Sequence, residues 1–275
     1  MVKILLDSGS DGKFSHPHDY YVSLTVDIGG RAYKDGVDLR PQRFYKLLAT
    51  AEEFPKTSQP SPEDFAACFA QAKENGDEVV YLALSSGLSG TMQSAAIAKE
   101  MVEYDNIHIV DSKTASHMIG LLARYAAKLA EEGLSGAEIA EKVTQIREKQ
   151  VIYAGLQTLE YLYKGGRLSR ASAAIGTIAN IKPIITVSKD GKVESFAKGI
   201  GVKRAIQTII KTVQAHEIDE NFEIWSLCSV DNENCEALEA ALAEIGHPVS
   251  GRMQIGPTIG AHVGPGVYGV TFIEK

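Results

Sequence analysis

Apolar residues fall along this chain in two rhythms. Runs such as Val2-Lys3-Ile4-Leu5-Leu6 and Val79-Val80-Tyr81-Leu82-Ala83-Leu84 are dense enough for buried strands. The stretches between them repeat every three to four positions, the period of a helix with one buried face. In the first half this predicts strands over 2–6, 22–27, 78–84 and 107–110, and helices over 43–53, 62–75, 90–103 and 115–132. Helix boundaries carry matching chemistry. Ser61-Pro62-Glu63-Asp64 offers an N-cap, a proline at the first helical position and acid in the first turn. Gly133 closes the long helix before it. Ser135 with Glu138 forms a capping box for a helix running to 149, with Ile139, Val143 and Ile146 on one face. Strands alternating with helices argue for βαβ units and a mostly parallel sheet.

The second half differs in texture. A strand is predicted over 151–156. Residues 181–187 are turned by Asp190-Gly191 into 192–197, a hairpin signal. A helix over 202–216, a strand over 222–229, a helix over 233–245 and strands over 249–254 and 266–272 complete it. A hairpin with flanking helices argues for a mixed layer and not for more of the first sheet. The expected class is α/β with two domains: 1–155 with a mostly parallel sheet and flanking helices, and 156–275 with a mixed α/β layer. The division near 155 carries no linker rich in Pro, Gly or Ser, so the halves are expected to pack firmly. No internal repeat or low-complexity segment is present.

Composition narrows the classes. The 275 residues are 44% hydrophobic and 23% charged, with a net charge of −7 and no Lys/Arg block. That balance argues against a broad nucleic-acid face, which needs clustered cations. Met1-Val2-Lys3-Ile4-Leu5-Leu6-Asp7 is charged too soon for a secretory signal and reads as a strand. No run approaches the ~20 apolar residues of a membrane span. Cys68, Cys228 and Cys235, irregularly spaced, suggest a reducing cytoplasmic compartment and small core residues, with no disulfide framework, zinc site or other metal.

Chemistry concentrates in four loops. In Ser85-Ser86-Gly87-Leu88-Ser89-Gly90-Thr91, a buried strand feeds small hydroxyl residues that open a helix, with Leu88, Met92 and Ala95 on its apolar face. The first N–H groups of a helix lack internal partners, and its dipole favours an anion there. The hydroxyls can equally do no more than cap the helix. The loop lacks the Gly-Lys-Ser/Thr ending of a nucleotide-binding loop, and its spacing is not that of a nucleophile elbow. Lys56-Thr57-Ser58-Gln59-Pro60-Ser61-Pro62 is a stiff polar connection; alone it is a connector, but with the first loop it can converge on one oxyanion. Gln254 to Gly266 sets His262 among four glycines and two prolines, as a helix cap, a surface group or a functional residue on a loop. Lys164-Gly165-Gly166-Arg167-Leu168-Ser169-Arg170 is either a phosphate-contacting basic loop or a helix end where cations meet carbonyls. Asp7-Ser8 and Asp111-Ser112 end strands, as an acid–base pair or, more simply, as Asx turns.

Together these segments resemble the DegV family. The resemblance rests on Lys56-Thr57-Ser58-Gln59-Pro60-Ser61-Pro62, Ser85-Ser86-Gly87-Leu88-Ser89-Gly90-Thr91, Gly165-Gly166-Arg167-Leu168-Ser169 and Gly256-Pro257-Thr258-Ile259-Gly260-Ala261-His262-Val263-Gly264-Pro265-Gly266. Leu6-Asp7-Ser8 and Asp111-Ser112 fit as well, and the match spans nearly the whole chain in the family's order. It implies a cytoplasmic bacterial carrier that holds a long-chain fatty acid of palmitate, stearate or oleate type between two domains. It implies that Thr57 and Ser89 hold the carboxylate, with Ser58, Gly90, Thr91 and His262 in the same ligand-binding set. It implies no catalytic residue and no cofactor of its own. The acid is presented to a separate ATP-using fatty acid kinase, whose phosphotransfer Arg167, Arg204 and His262 support. Exchange of lipid implies a transient contact with a membrane surface. The competing reading is a stand-alone hydrolase or small-molecule kinase using the same loops; the missing phosphate and elbow motifs count against it.

Overall fold

The computed structural model describes residues 1–11, 18–169, 180–230 and 233–275; Arg170 of the basic loop lies outside them. The first sheet is parallel throughout. β1 (Val2–Asp7) lies between β2 (Tyr20–Val22) and β6 (Glu78–Ala83), with β7 (Ile107–Asp111) beyond β6. The apolar run of β6 is explained by burial on both faces. Val79, Tyr81 and Ala83 pack with Phe65 and Phe69 of α2 (Pro62–Asn75) and with Ala95 and Ala98 of α3 (Thr91–Val102). Val80 and Leu82 point the other way, onto Leu122 and Ala126 of α4 (His117–Glu131) and Ile139 and Val143 of α5 (Gly136–Arg147). The expected Ser135–Glu138 capping box forms, and Ser61 with Asp64 forms a second; in each, side chain and backbone exchange bonds.

The strand expected over 22–27 is in fact two. The chain leaves the parallel sheet after Val22, and β3 (Thr25–Ile28) enters a separate antiparallel sheet with β4 (Arg31–Lys34) and β5 (Lys56–Ser58), ordered β4-β3-β5. Gly29 and Gly30, both at positive φ, make the two-residue turn between β3 and β4. The first helix, α1 (Pro41–Leu48), starts two residues before the expected 43 and ends five before the expected 53.

The second sheet has six strands in the order β10-β9-β8-β13-β11-β12. These are β8 (Gln150–Gly155), β9 (Ile181–Val187), β10 (Val193–Ile200), β11 (Trp225–Cys228), β12 (Gly251–Gln254) and β13 (Tyr268–Ile273). Only β11 and β12 run parallel; every other pairing is antiparallel, including the expected β9–β10 hairpin. The α/β class, with one parallel and one mixed sheet, is as the sequence predicts. The chain changes sheets between Arg147 and Gln150, so the strand assigned by patterning to the end of 1–155 pairs within the second sheet, Ala154 with Ile185 and Gly155 with Tyr268. An apolar run reads the same whichever sheet it joins.

α7 (Val202–Val213) and α8 (Glu233–Glu244) cover the outer face of this sheet. Its inner face meets the first half, and Met118 and Leu121 of α4 pack there while Ile119 and Leu122 pack on the first sheet. Helix α4 is thus shared by both layers. Two short helices sit inside runs read as loops: α6 (Glu160–Lys164) and α9 (Pro257–Val263). Cys228 and Cys235, whose Cα atoms lie 6.1 Å apart, are joined as a disulfide, a correction to the expectation of unpaired core cysteines. Cys68 is free. Among the described residues no helix is long and apolar enough to cross a membrane.

Candidate functional site

A cavity of about 90 Å³ lies between the inner face of the second sheet and the loops of the first half. Ile152, Ala154, Ile185 and Leu227 form one wall, Leu24, Leu84 and Ala115 the other, and Ile259 and Val263 of α9 a third. The lining, apolar with a few polar groups, is that of a small-molecule site. Six lining residues are polar: Thr57, Ser89, Ser116, Arg167, Thr258 and His262. The Ser116 and Thr258 hydroxyls donate to Asp11 and Asp35, so they are already engaged.

Thr57 owes its direction to strand alternation. It sits half-buried in β5 while Lys56 and Ser58 on either side are exposed. Its Oγ1 lies 2.8 Å from Nε2 of His262, in the last turn of α9. The other ring nitrogen, Nδ1, is buried without a hydrogen-bond partner and packs against Gly165, where a Cβ would overlap it. Burial, helped by the positive charge of Arg167, pushes His262 down to about 4. The ring is therefore neutral at neutral pH.

Arg167 reaches the same place by a helix-ending device. Gly166, at φ +74°, donates to the Tyr163 carbonyl, and the Arg167 N–H donates to the Leu162 carbonyl. This pair of bonds is a Schellman motif, which needs a residue of left-handed backbone where Gly166 stands. The Arg167 guanidinium donates from Nε to the Leu88 carbonyl at 3.0 Å and from Nη1 to the Gly165 carbonyl at 2.5 Å. Those bonds use two of its five N–H groups. It forms no ion pair among the described residues, and burial lowers its pKa. A desolvated cation without an acid beside it is a strong attractor for a carboxylate.

Ser89 completes the polar group. The amides of Leu88 and Ser89 both donate to the Ser85 carbonyl, which folds the loop into a turn. Ser89 Oγ lies 2.8 Å from Thr91 Oγ1 and accepts from the Thr91 amide. Thr91 is buried and stands behind Ser89, off the cavity wall. Gly90 is also off the wall; the Gln59 amide packs where its Cβ would be, and Gln59 Nε2 donates to Ser94 Oγ at 3.0 Å. The two hydroxyl-rich loops are stitched together there.

Of the residues singled out in the sequence, Thr57, Ser89, Arg167 and His262 all line this cavity. Ser58 does not, because it occupies the exposed face of β5. Arg204 does not either: α7 buries Ala205, Ile206 and Ile209, which turns Arg204 to solvent, where its Nη1 donates to Gln207 Oε1 at 3.1 Å. Asp7 and Asp111 do Asx-type work. Asp7 accepts from the Gly9 and Leu84 amides and the Tyr81 hydroxyl, and Asp111 from the Ser86 and Lys113 amides. Cys228, Cys235 and Glu239 bring their ligand atoms within 4.8 Å of one another. The two sulfurs are bonded together and Glu239 is held by Arg252 at 2.6 and 2.7 Å, so the group offers no thiolate to a metal.

The whole chain, residues 1–275, matches the family described as uncharacterised protein, DegV family. A DegV domain-containing protein of Caldanaerobacter subterraneus subsp. tengcongensis is 40% identical over 262 residues, covering 93% of this chain and 91% of that protein. Among solved structures, one from Thermus thermophilus, described as fatty acid binding of a DegV family protein, is 33% identical with a TM-score of 0.86, covering 100% of this chain and 99% of the other. A Thermotoga maritima protein whose structure is described as revealing fatty acid binding function is 30% identical with a TM-score of 0.82 and the same coverage. The Streptococcus pneumoniae fatty acid kinase (Fak) B3 protein, loaded with linoleic acid, has a TM-score of 0.86 at 23% identity, covering 100% of each chain; this likeness is one of fold.

Proposed function

The chain belongs to the DegV family, and we propose that it carries a long-chain fatty acid of palmitate, stearate or oleate type. The acyl chain occupies the apolar cavity, and the carboxylate lies where Thr57, Ser89, Arg167 and His262 meet. The observation that carries this reading is an apolar cavity whose lining includes Thr57, Ser89, Arg167 and His262, with Arg167 forming no ion pair among the described residues. Burial of the acyl chain contributes about 0.8 kcal/mol per CH₂. A carboxylate buried without partners would cancel several of those contributions. Two hydroxyls and a guanidinium remove that penalty, and Ser58, Gly90 and Thr91 shape the loops behind them.

The carrier presents the carboxylate to a partner fatty acid kinase catalytic subunit. There a carboxylate oxygen attacks the γ-phosphorus of ATP, giving the acyl phosphate and ADP. Arg167 and His262 lie beside the reacting carboxylate; Arg204, on the outer surface, acts only through a partner that reaches it. Dependence on ATP places the work in the cytoplasm, and lipid exchange brings the protein briefly to a membrane surface.

Native mass spectrometry of the purified protein tests the first step. A fatty-acid adduct, or uptake of oleate by stripped protein, is expected; protein that stays empty and refuses oleate would sink the carrier reading. Acyl phosphate should form only when ATP, the loaded protein and the kinase subunit are combined. ATP consumption with oleate and no partner would instead favour a stand-alone enzyme.

A further inference from the structure

Helix α9 carries both a wall of the cavity and His262, yet it has only seven residues, too few to hold its own direction. Its first turn is gripped from elsewhere in the chain. The buried carboxylate of Asp35 accepts two bonds at once on Oδ2, from the Thr258 amide at 2.9 Å and from the Thr258 hydroxyl at 2.5 Å. Asp11 Oδ1 accepts from the Gly256 amide at 2.9 Å, while its Oδ2 accepts from Ser116 Oγ at 2.6 Å. Thr258 Oγ1 also lies 3.0 Å from Ser8 Oγ, which accepts from the Leu24 amide. The donors at the start of α9 are thus fastened to Asp35, just after β4, and to Ser8 and Asp11, just after β1, which in turn hold the β2–β3 connection and the start of α4.

The Thr258 and Gly256 amides donate to these carboxylates, and burial, with Asp35 adding to it, pushes Asp11 well above the usual carboxylate range. His262 stands four residues after Thr258, about 6 Å along the axis, at the far end of the same rigid turn. Gly260, between them, lies so close to Phe44 and Tyr45 that a Cβ would overlap both, which leaves the helix one seat. A tilt at Thr258 therefore becomes a displacement at His262 and breaks its contact with Thr57.

We infer that Asp35, assisted by Asp11, is a positioning residue for fatty-acid recognition: it aims α9 so that His262 meets Thr57 at the carboxylate end of the cavity. This rests on the fatty-acid reading given above, and it makes carboxylate recognition, as opposed to acyl burial, depend on a side chain that never touches the lipid.

The test compares oleate with oleyl alcohol, which keeps the chain and lacks the charge. Asp35→Ala is expected to weaken oleate binding by about tenfold or more and oleyl alcohol by less than about threefold, the scale of one or two lost hydrogen bonds. Asp35→Asn, whose Oδ1 can accept the same two bonds, should restore the oleate affinity to within about threefold. Equal losses for both ligands, or no loss for either, overturn the proposal. A second readout needs no lipid. Proton titration of the His262 ring by NMR, identified against His262→Gln, should move from about 4 toward the ordinary value in Asp35→Ala and stay put in Asp35→Asn; an unmoved ring overturns the proposal. Should Asp35→Ala not fold, Thr258→Val removes the hydroxyl bond alone and must show the same preference for harming oleate. If the unaltered protein fails to bind oleate, the carrier reading falls, while the titration still decides whether Asp35 positions His262.

Discussion

At the scale of single residues, the direction of one proton organises the proposed carboxylate site. Orphaned buried N–H groups are rarer than orphaned acceptors, and His262 Nδ1 is buried with no partner. With the ring proton on Nε2, His262 donates to Thr57 Oγ1 and leaves the Thr57 hydroxyl proton free for an anion. Hydrogen bonds to charged groups contribute about 1.5–3 kcal/mol. Thr57→Ala and Ser89→Ala should each weaken fatty-acid binding by roughly ten- to a hundredfold in a calorimetric titration; unchanged affinity in both would remove them from the carboxylate. The same histidine sets a pH dependence. The unfolded ring takes a proton near its ordinary 6.5, whereas the folded ring refuses it until about 4. Stability is thus fully present above pH 6.5 and falls as the pH drops from 6.5 toward 4, by at most on the order of 3 kcal/mol. His262→Gln should flatten that part of a melting-temperature profile; an identical slope would place the titration elsewhere. Thr57, Ser89, Arg167 and His262, which line the cavity, sit in sequence motifs with distinctive neighbours. The exposure of Ser58 was not legible in the sequence, since it follows from the pleat of a strand of three residues that patterning does not detect.

At the scale of elements, glycines and hydroxyls lock one unit against another. The β9–β10 hairpin turn rests on the serine loop: Ser85 Oγ donates to the Gly191 carbonyl at 2.7 Å, and a Cβ on Gly191 would overlap that Oγ. Gly191 has φ +74°. Gly29 has a similar positive φ but nothing within 4 Å of its would-be Cβ. Alanine at Gly29 should cost about 1–2 kcal/mol, the left-handed backbone alone. Alanine at Gly191 should cost distinctly more, because strain and collision add. Urea midpoints compare the two, and equal shifts would mean that the hairpin turn is not latched to the loop. The hairpin itself was readable, from Asp190-Gly191 between two apolar runs. Helix α9 was not: seven residues give less than two full periods, and the surrounding glycines and prolines read as loop. The small antiparallel sheet escaped for the same reason, since β4 and β5 are short and carry Lys and Arg where a strand signal would be apolar.

At the scale of the whole molecule, the cavity is walled by both halves of the chain. Leu24, Leu84 and Ala115 come from the first, Ile152, Ile185 and Leu227 from the second. The sequence announced two kinds of sheet but not where one gives way to the other, because β8 is as apolar as a strand of either. A ligand lying between them is bonded to the folded state alone, since the unfolded chain has no such cavity. Its binding therefore adds RT ln(1 + [L]/Kd) to stability, about 2.7 kcal/mol at a hundred times Kd. For a chain of this size that is a rise of roughly 5–10 °C in melting temperature. Protein stripped of lipid should melt lower than protein as purified, and oleate should restore the difference. Octanoate shares the carboxylate but has ten fewer carbons. At about 0.8 kcal/mol per CH₂ it forfeits most of the apolar term, so at equal concentration it should restore little. Were octanoate as effective as oleate, the stabilisation would come from the carboxylate end alone. The apolar cavity between the sheets would then not be where the acyl chain lies.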